Sequence, residues 1–60
     1  MIERKEIVRS KYNCQVQLIK EYGEITVTKV FVFDTEVFVS EFYEEADMRY
    51  NNIYLPYANN

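Results

Sequence analysis

The sequence predicts a small α+β domain, a three-stranded antiparallel sheet with one helix on its face, in the order β-β-α-β. Three observations predict it. Residues 12–21 alternate apolar and polar side chains with the period of a half-buried strand. The only glycine, Gly23, follows at a turn, and a second apolar run extends from Ile25 to Phe33. Beyond Asp34, apolar residues recur at spacings of three and four, before a last apolar pair at Ile53 and Leu55.

Residues 1–11 have weak periodicity. Ile2, Ile7 and Val8 suit either one helical turn against the body or a short basic arm, with the ββαβ body running over 12–57 of a single 1–60 domain. In the first strand Tyr12, Cys14, Val16 and Leu18 point one way and Asn13, Gln15 and Gln17 the other. Cys14 then reads as a small core hydrophobe, with no base beside it to favour a thiolate. Gly23 stands where a hairpin loop needs a positive φ.

In the second strand Ile25, Val27, Phe31 and Phe33 share a face. The other face starts polar, at Thr26 and Thr28, and turns apolar at Val30 and Val32. An apolar strand on both sides needs two covers. Either a second copy packs there, making Val30 and Val32 a dimer interface, or a helix or arm of the same chain does so.

The near-palindrome VFVFDTEVFV, residues 30–39, admits a hairpin or a strand running into a helix. A two-residue tip at Asp34-Thr35 would force positive φ on threonine, whose β-branch tolerates it badly. Asp34-Thr35 is better suited to a helix start, with Glu36 in the first turn. A helix over 35–47 places Phe38, Val39, Phe42, Tyr43 and Ala46 on one arc and Glu36, Ser40, Glu44 and Asp47 on the other. Glu41 and Glu45 fall along the margin. A strand through Val37-Phe38-Val39 is the alternative. Arg49 to Tyr57 returns as a third strand, with Ile53 and Leu55 inward and Pro56 restricting it to an edge.

A 60-residue chain hides only about 60% of the surface its unfolded form exposes, so small domains recruit a staple. With one cysteine no internal disulfide forms, and with no histidine or calcium-type loop no metal or cofactor is expected. A homodimer is the remaining candidate. Residues 1–6 lack the apolar core of a signal peptide, and the longest apolar run is far short of a membrane span. A cytoplasmic protein is expected.

Charge is unevenly placed. Residues 1–11 carry Arg4, Lys5, Arg9 and Lys11 against two acids, whereas residues 12–60 carry eight acids against three bases. Asp34, Glu36, Glu41, Glu44, Glu45 and Asp47 form a block with no base inside it. Such a block repels phosphate and suits a basic partner. Catalytic patterns are missing: no histidine, no glycine-rich phosphate loop, no nucleophile elbow. Glutamates at 41, 44 and 45 read more simply as a solvated helix face than as an acid–base pair in a cleft. An enzyme is not expected.

These features together resemble one family. Tyr12-Asn13 opening a strand, Gly23 at a turn, a helix carrying Phe38 with an aromatic four residues on, and a strand through Ile53 and Leu55 are similar to the small uracil-DNA glycosylase inhibitors of certain Bacillus phages. The resemblance spans roughly residues 12–55 by spacing more than by identity. It implies a DNA-mimicking acidic homodimer that occupies the enzyme's DNA-binding groove and does not itself bind nucleic acid. It also implies that Phe38 helps form an apolar pocket for an enzyme leucine, that Phe42 stands where the family has a tyrosine, and that Tyr43 supplies the hydroxyl. Glu41, Glu44, Glu45 and Asp47 would then stand in for phosphates. The family has an acid after the phenylalanine, where this chain has Val39. Two other classes fit the charge pattern: another acidic inhibitor of a nucleic-acid enzyme, such as an anti-defence protein, and a small regulator touching nucleic acid through Arg4, Lys5, Arg9 and Lys11.

Overall fold

The computed structural model describes residues 2–56. It is an α+β fold, an antiparallel sheet with one helix, but the sheet has four strands and the helix comes last. The elements are β1 (Ile2–Lys11), β2 (Val16–Gly23), β3 (Val27–Val32), β4 (Thr35–Ser40) and α1 (Tyr43–Asn51). Strand order follows chain order, β1-β2-β3-β4, so every sheet connection is a hairpin.

The N-terminal segment, expected as an arm or helical turn, is the edge strand β1. It pairs with β2 from Ile2 opposite Gly23 to Lys11 opposite Val16. Its charged side chains obscured the strand period while suiting an exposed edge, where charge discourages pairing with foreign strands. An irregularity between Ile7 and Arg9 also breaks the alternation, and Val8 packs against the core.

Tyr12-Asn13 does not open a strand. Tyr12, Asn13 and Cys14 have φ of 56°, 54° and 67°, forming a left-handed turn closed by the Gln15 N–H donating to the Tyr12 carbonyl at 3.0 Å. Cys14 is therefore exposed in a turn rather than buried in the core. Gly23 closes β2 without a positive φ.

The palindrome is a hairpin. Its tip lies one residue earlier than Asp34-Thr35: Val32 faces Thr35, and Phe33 and Asp34 take φ of 50° and 64°. Two positive-φ residues in a two-residue loop match the twist of the flanking strands. The earlier tip spares β-branched Thr35, which pairs within β4.

Residues 35–40 are thus strand, and the helix starts eight residues later than expected. At the end of β4 the Phe42 N–H donates to Ser40 Oγ at 3.0 Å, turning the chain into α1. Glu44 and Glu45 then occupy the first turn, where the helix dipole favours anions. The expected third strand over 49–57 does not form. Arg49–Asn51 finish the helix, Ile53 and Leu55 follow in irregular chain against the core, and Tyr57 lies outside the described residues.

Val16, Leu18, Val30, Ala46 and Tyr50 form the core between the sheet and α1. The helix is nine residues long, too short to hold without this packing. Tyr43, Ala46 and Tyr50, spaced by three and four, are the residues it turns toward the sheet.

Candidate functional site

The strand register determines which residues share an end of the molecule. β2 ends and β3 begins near Glu24, β1 starts beside Gly23, and β4 runs to Ser40 at the same end, where α1 begins. Glu3, Glu24, Glu41, Glu44 and Glu45 gather there, all exposed. Phe42 stands among the last three, 68% exposed. An aromatic ring in water at a helix start contributes little to this fold, and it is the largest apolar side chain beside the acids.

The basic residues are engaged within the chain. Arg4 lies 4.2 Å from the Tyr22 ring centroid, and Lys20 lies 5.4 Å from the same ring. Lys5 pairs with Glu21 at 3.7 Å. Arg9 pairs with Asp47, and Lys11 donates to the Tyr50 and Ile53 carbonyls at 2.7 and 2.9 Å. Lys29 bridges Glu21 and Glu36 at 3.1 and 2.9 Å, and Arg49 covers the Phe38 ring at 4.6 Å. By contrast Glu3, Glu24, Asp34, Glu41, Glu44 and Glu45 have no ion-pair partner among the described residues. Glu6 likewise has none, and of the bases Arg4, Lys11, Lys20 and Arg49 have none, so charge without an ion-pair partner among the described residues is negative on balance.

Among the residues expected to bind a partner, the structure brings Glu41, Phe42, Glu44 and Glu45 together in solvent. Three others lie elsewhere. Asp47 is held by Arg9 and by an Asn51 amide at 3.4 Å. Tyr43 packs against the core, with the Lys20 ammonium 5.8 Å from its ring. Phe38, expected on the helix and, by the resemblance, in a pocket for an enzyme leucine, lies on β4 between the core and Arg49. Phe42, which the expected helix over 35–47 sets on its apolar arc, is the exposed one, because the later helix start makes it the N-cap residue.

The proposed dimer residues are also placed differently. Val30 is 0% exposed and Val32 half-buried, both on the side of the sheet that carries α1. The chain's own helix is the cover, so this face is not available to a second copy. Sequence reasoning missed the opposite face, where Lys5, Glu21, Lys29 and Glu36 are linked. The alternation of Val27, Lys29 and Phe31 was its signal.

Among the described residues no three His, Cys, Asp or Glu side chains gather as a metal site. No described helix is long and apolar enough to cross a membrane. No protein-family model, curated protein or solved structure matches the chain. The element order found, ββββα, differs from the ββαβ order that the resemblance to the glycosylase inhibitors implies.

Proposed function

We propose that the chain is an acidic binding module that sets the start of α1 into a basic, nucleic-acid-binding groove of an enzyme and blocks it. The observation that carries this reading is Phe42, 68% exposed amid Glu41, Glu44 and Glu45. An aromatic anchor inside a charged rim is the usual composition of an interaction hot spot, and the acids steer it toward a basic surface. The chain needs no catalytic chemistry of its own for this role. The net charge of −3, with the exposed acids lying around the start of α1, speaks against a direct nucleic-acid binder.

Uracil-DNA glycosylase is the specific target that the resemblance suggests. Its support is now the charge pattern alone, since Phe38 is not free to form the expected pocket. Uracil excision from a labelled oligonucleotide, with the chain in excess, tests it. Inhibition that weakens with salt and falls with Phe42→Ala by about 2 kcal/mol or more supports the reading. Excision left untouched removes this target. Capture from lysate with heparin as competitor then distinguishes other basic-grooved enzymes. Salt-dependent binding of the isolated chain to DNA overturns the reading altogether.

A further inference from the structure

The sheet has a face that no described element covers. Register places Ile7, Ile19, Val27, Phe31 and Val39 on it, opposite the face that carries α1. Ile7 is 59% exposed and Val39 45%. Obliquely across these apolar side chains runs a row of four charges, one from each strand. Lys5 meets Glu21 at 3.7 Å, Glu21 meets Lys29 at 3.1 Å, and Lys29 meets Glu36 at 2.9 Å. Glu21 is only 4% exposed. Its carboxylate, set between two ammonium groups, fixes the row in place.

We propose that this face joins two copies of the chain, sheet against sheet, about a two-fold axis. The argument is charge complementarity. The chain carries a net −3, which opposes self-association through most of its surface. The row is neutral, with two bases and two acids, and the acids lacking ion-pair partners lie outside it.

The order of signs is also self-complementary. Read from β1 to β4 it runs plus, minus, plus, minus, and its reverse is the opposite sequence. A second copy turned about an axis that lies in the interface and crosses the row sets Lys5 over Glu36 of the partner subunit. The same turn sets Glu21 over Lys29 of the partner subunit. An axis along the row would instead stack like on like. The favourable turn also brings Ile7 toward Phe31 of the partner subunit and sets the two Ile19 side chains near each other. Because the row crosses the strands obliquely, the strands of the two sheets cross steeply, as in orthogonal sheet packing. Burying this face supplies apolar contact that a 60-residue chain otherwise lacks.

Sedimentation equilibrium at micromolar concentration tests the proposal. Wild type should sediment at about twice the 7.3 kDa chain mass. Ile7→Glu should raise the dimer dissociation constant about tenfold or more with an unchanged circular dichroism spectrum, since this side chain stands in solvent in the monomer. Lys5→Glu and Glu36→Lys should each weaken the dimer alone, while an equimolar mixture of the two should recover it. In the mixture the two introduced charges meet each other and the native Lys5 meets the native Glu36. A monomeric wild type overturns the proposal. So does a dimer indifferent to Ile7→Glu, or a mixture no tighter than either variant, as pairing along the β1 edge would give.

Discussion

The Lys11 ammonium donates to the Tyr50 carbonyl oxygen at 2.7 Å, joining residues 39 apart in sequence. A second bond reaches the Ile53 carbonyl at 2.9 Å, and the Tyr50 ring lies 4.6 Å away. The last carbonyls of a helix lack partners within it, and a cation there also complements the dipole. The end of the first strand thus caps the C-terminus of the helix. A residue that reads as part of a basic arm is a structural tie.

Lys11→Met keeps the stem over Tyr50 and removes the charge. Bonds from a charged donor contribute about 1.5–3 kcal/mol, so urea denaturation should show a loss in that range. Arg9→Met removes a partly exposed pair with half-buried Asp47 and should cost about 1 kcal/mol or less. Equal losses for the two would mean that the carbonyl bonds add no more than a surface pair.

The two phenylalanines of the palindrome region should separate cleanly. Phe38 packs against Val30 across the sheet and under Arg49, so Phe38→Ala should destabilise by about 2 kcal/mol or more, less than the 3–5 kcal/mol of a fully buried ring. Phe42→Ala should change stability by no more than about 0.5 kcal/mol, because its ring is in solvent. Leu18→Ala, at a fully buried site, should cost about 2–5 kcal/mol and leave little of this small domain folded. Thermal melts of the three variants would reverse the placement of Phe38 and Phe42 if Phe42→Ala proved the more damaging of the pair.

Much of the sheet was legible. Val16 and Leu18 face the core as their alternation implies, and β3 is apolar on both sides as read. What misled was local. Phe38, Phe42, Tyr43 and Ala46 do fit a helical arc, but Val37, Phe38 and Val39 fit a strand as well, and β-branched residues pack well on a pleated surface. Threonine argues against a tip at Asp34-Thr35, and a tip at Phe33-Asp34 escapes that objection. At the site, the acids were found because charge needs no fold to be counted. The exposure of Phe42 depended on where the helix begins, and the row from Lys5 to Glu36 depended on pairing among four strands. Neither can be read without register.

The tip of the palindrome hairpin holds two non-glycine residues at positive φ, a conformation that costs roughly 1–2 kcal/mol for ordinary L-residues. Asn-Gly suits both positions better. The double change Phe33→Asn and Asp34→Gly should raise the urea midpoint, by roughly 1 kcal/mol of stability. Placing the glycine one position later, by Thr35→Gly, should destabilise β4 instead. The opposite ranking would return the tip to Asp34-Thr35.

Stability should fail on the alkaline side through two groups. The Lys29 ammonium is hydrogen-bonded by Glu36 and then by Glu21, which raises its pKa above the ordinary lysine value. Burial raises the Tyr50 phenol, against the opposing charge of Arg9. A raised pKa means that the folded state holds the proton more tightly than the unfolded chain. The associated stability is complete below the unfolded value and is lost as pH rises through the folded one. Neither group should move Tm between about pH 6 and 9, and both should lower it above about pH 10. Tyr50→Phe keeps the buried ring and removes the titrating hydroxyl, so its melts should fall less steeply over that alkaline range. Lys29→Met should lower Tm at neutral pH, where Glu21 loses a partner at a nearly buried site, and should also blunt the alkaline fall. A wild-type Tm that holds level well past the lysine range would show that neither proton is bound more tightly in the fold.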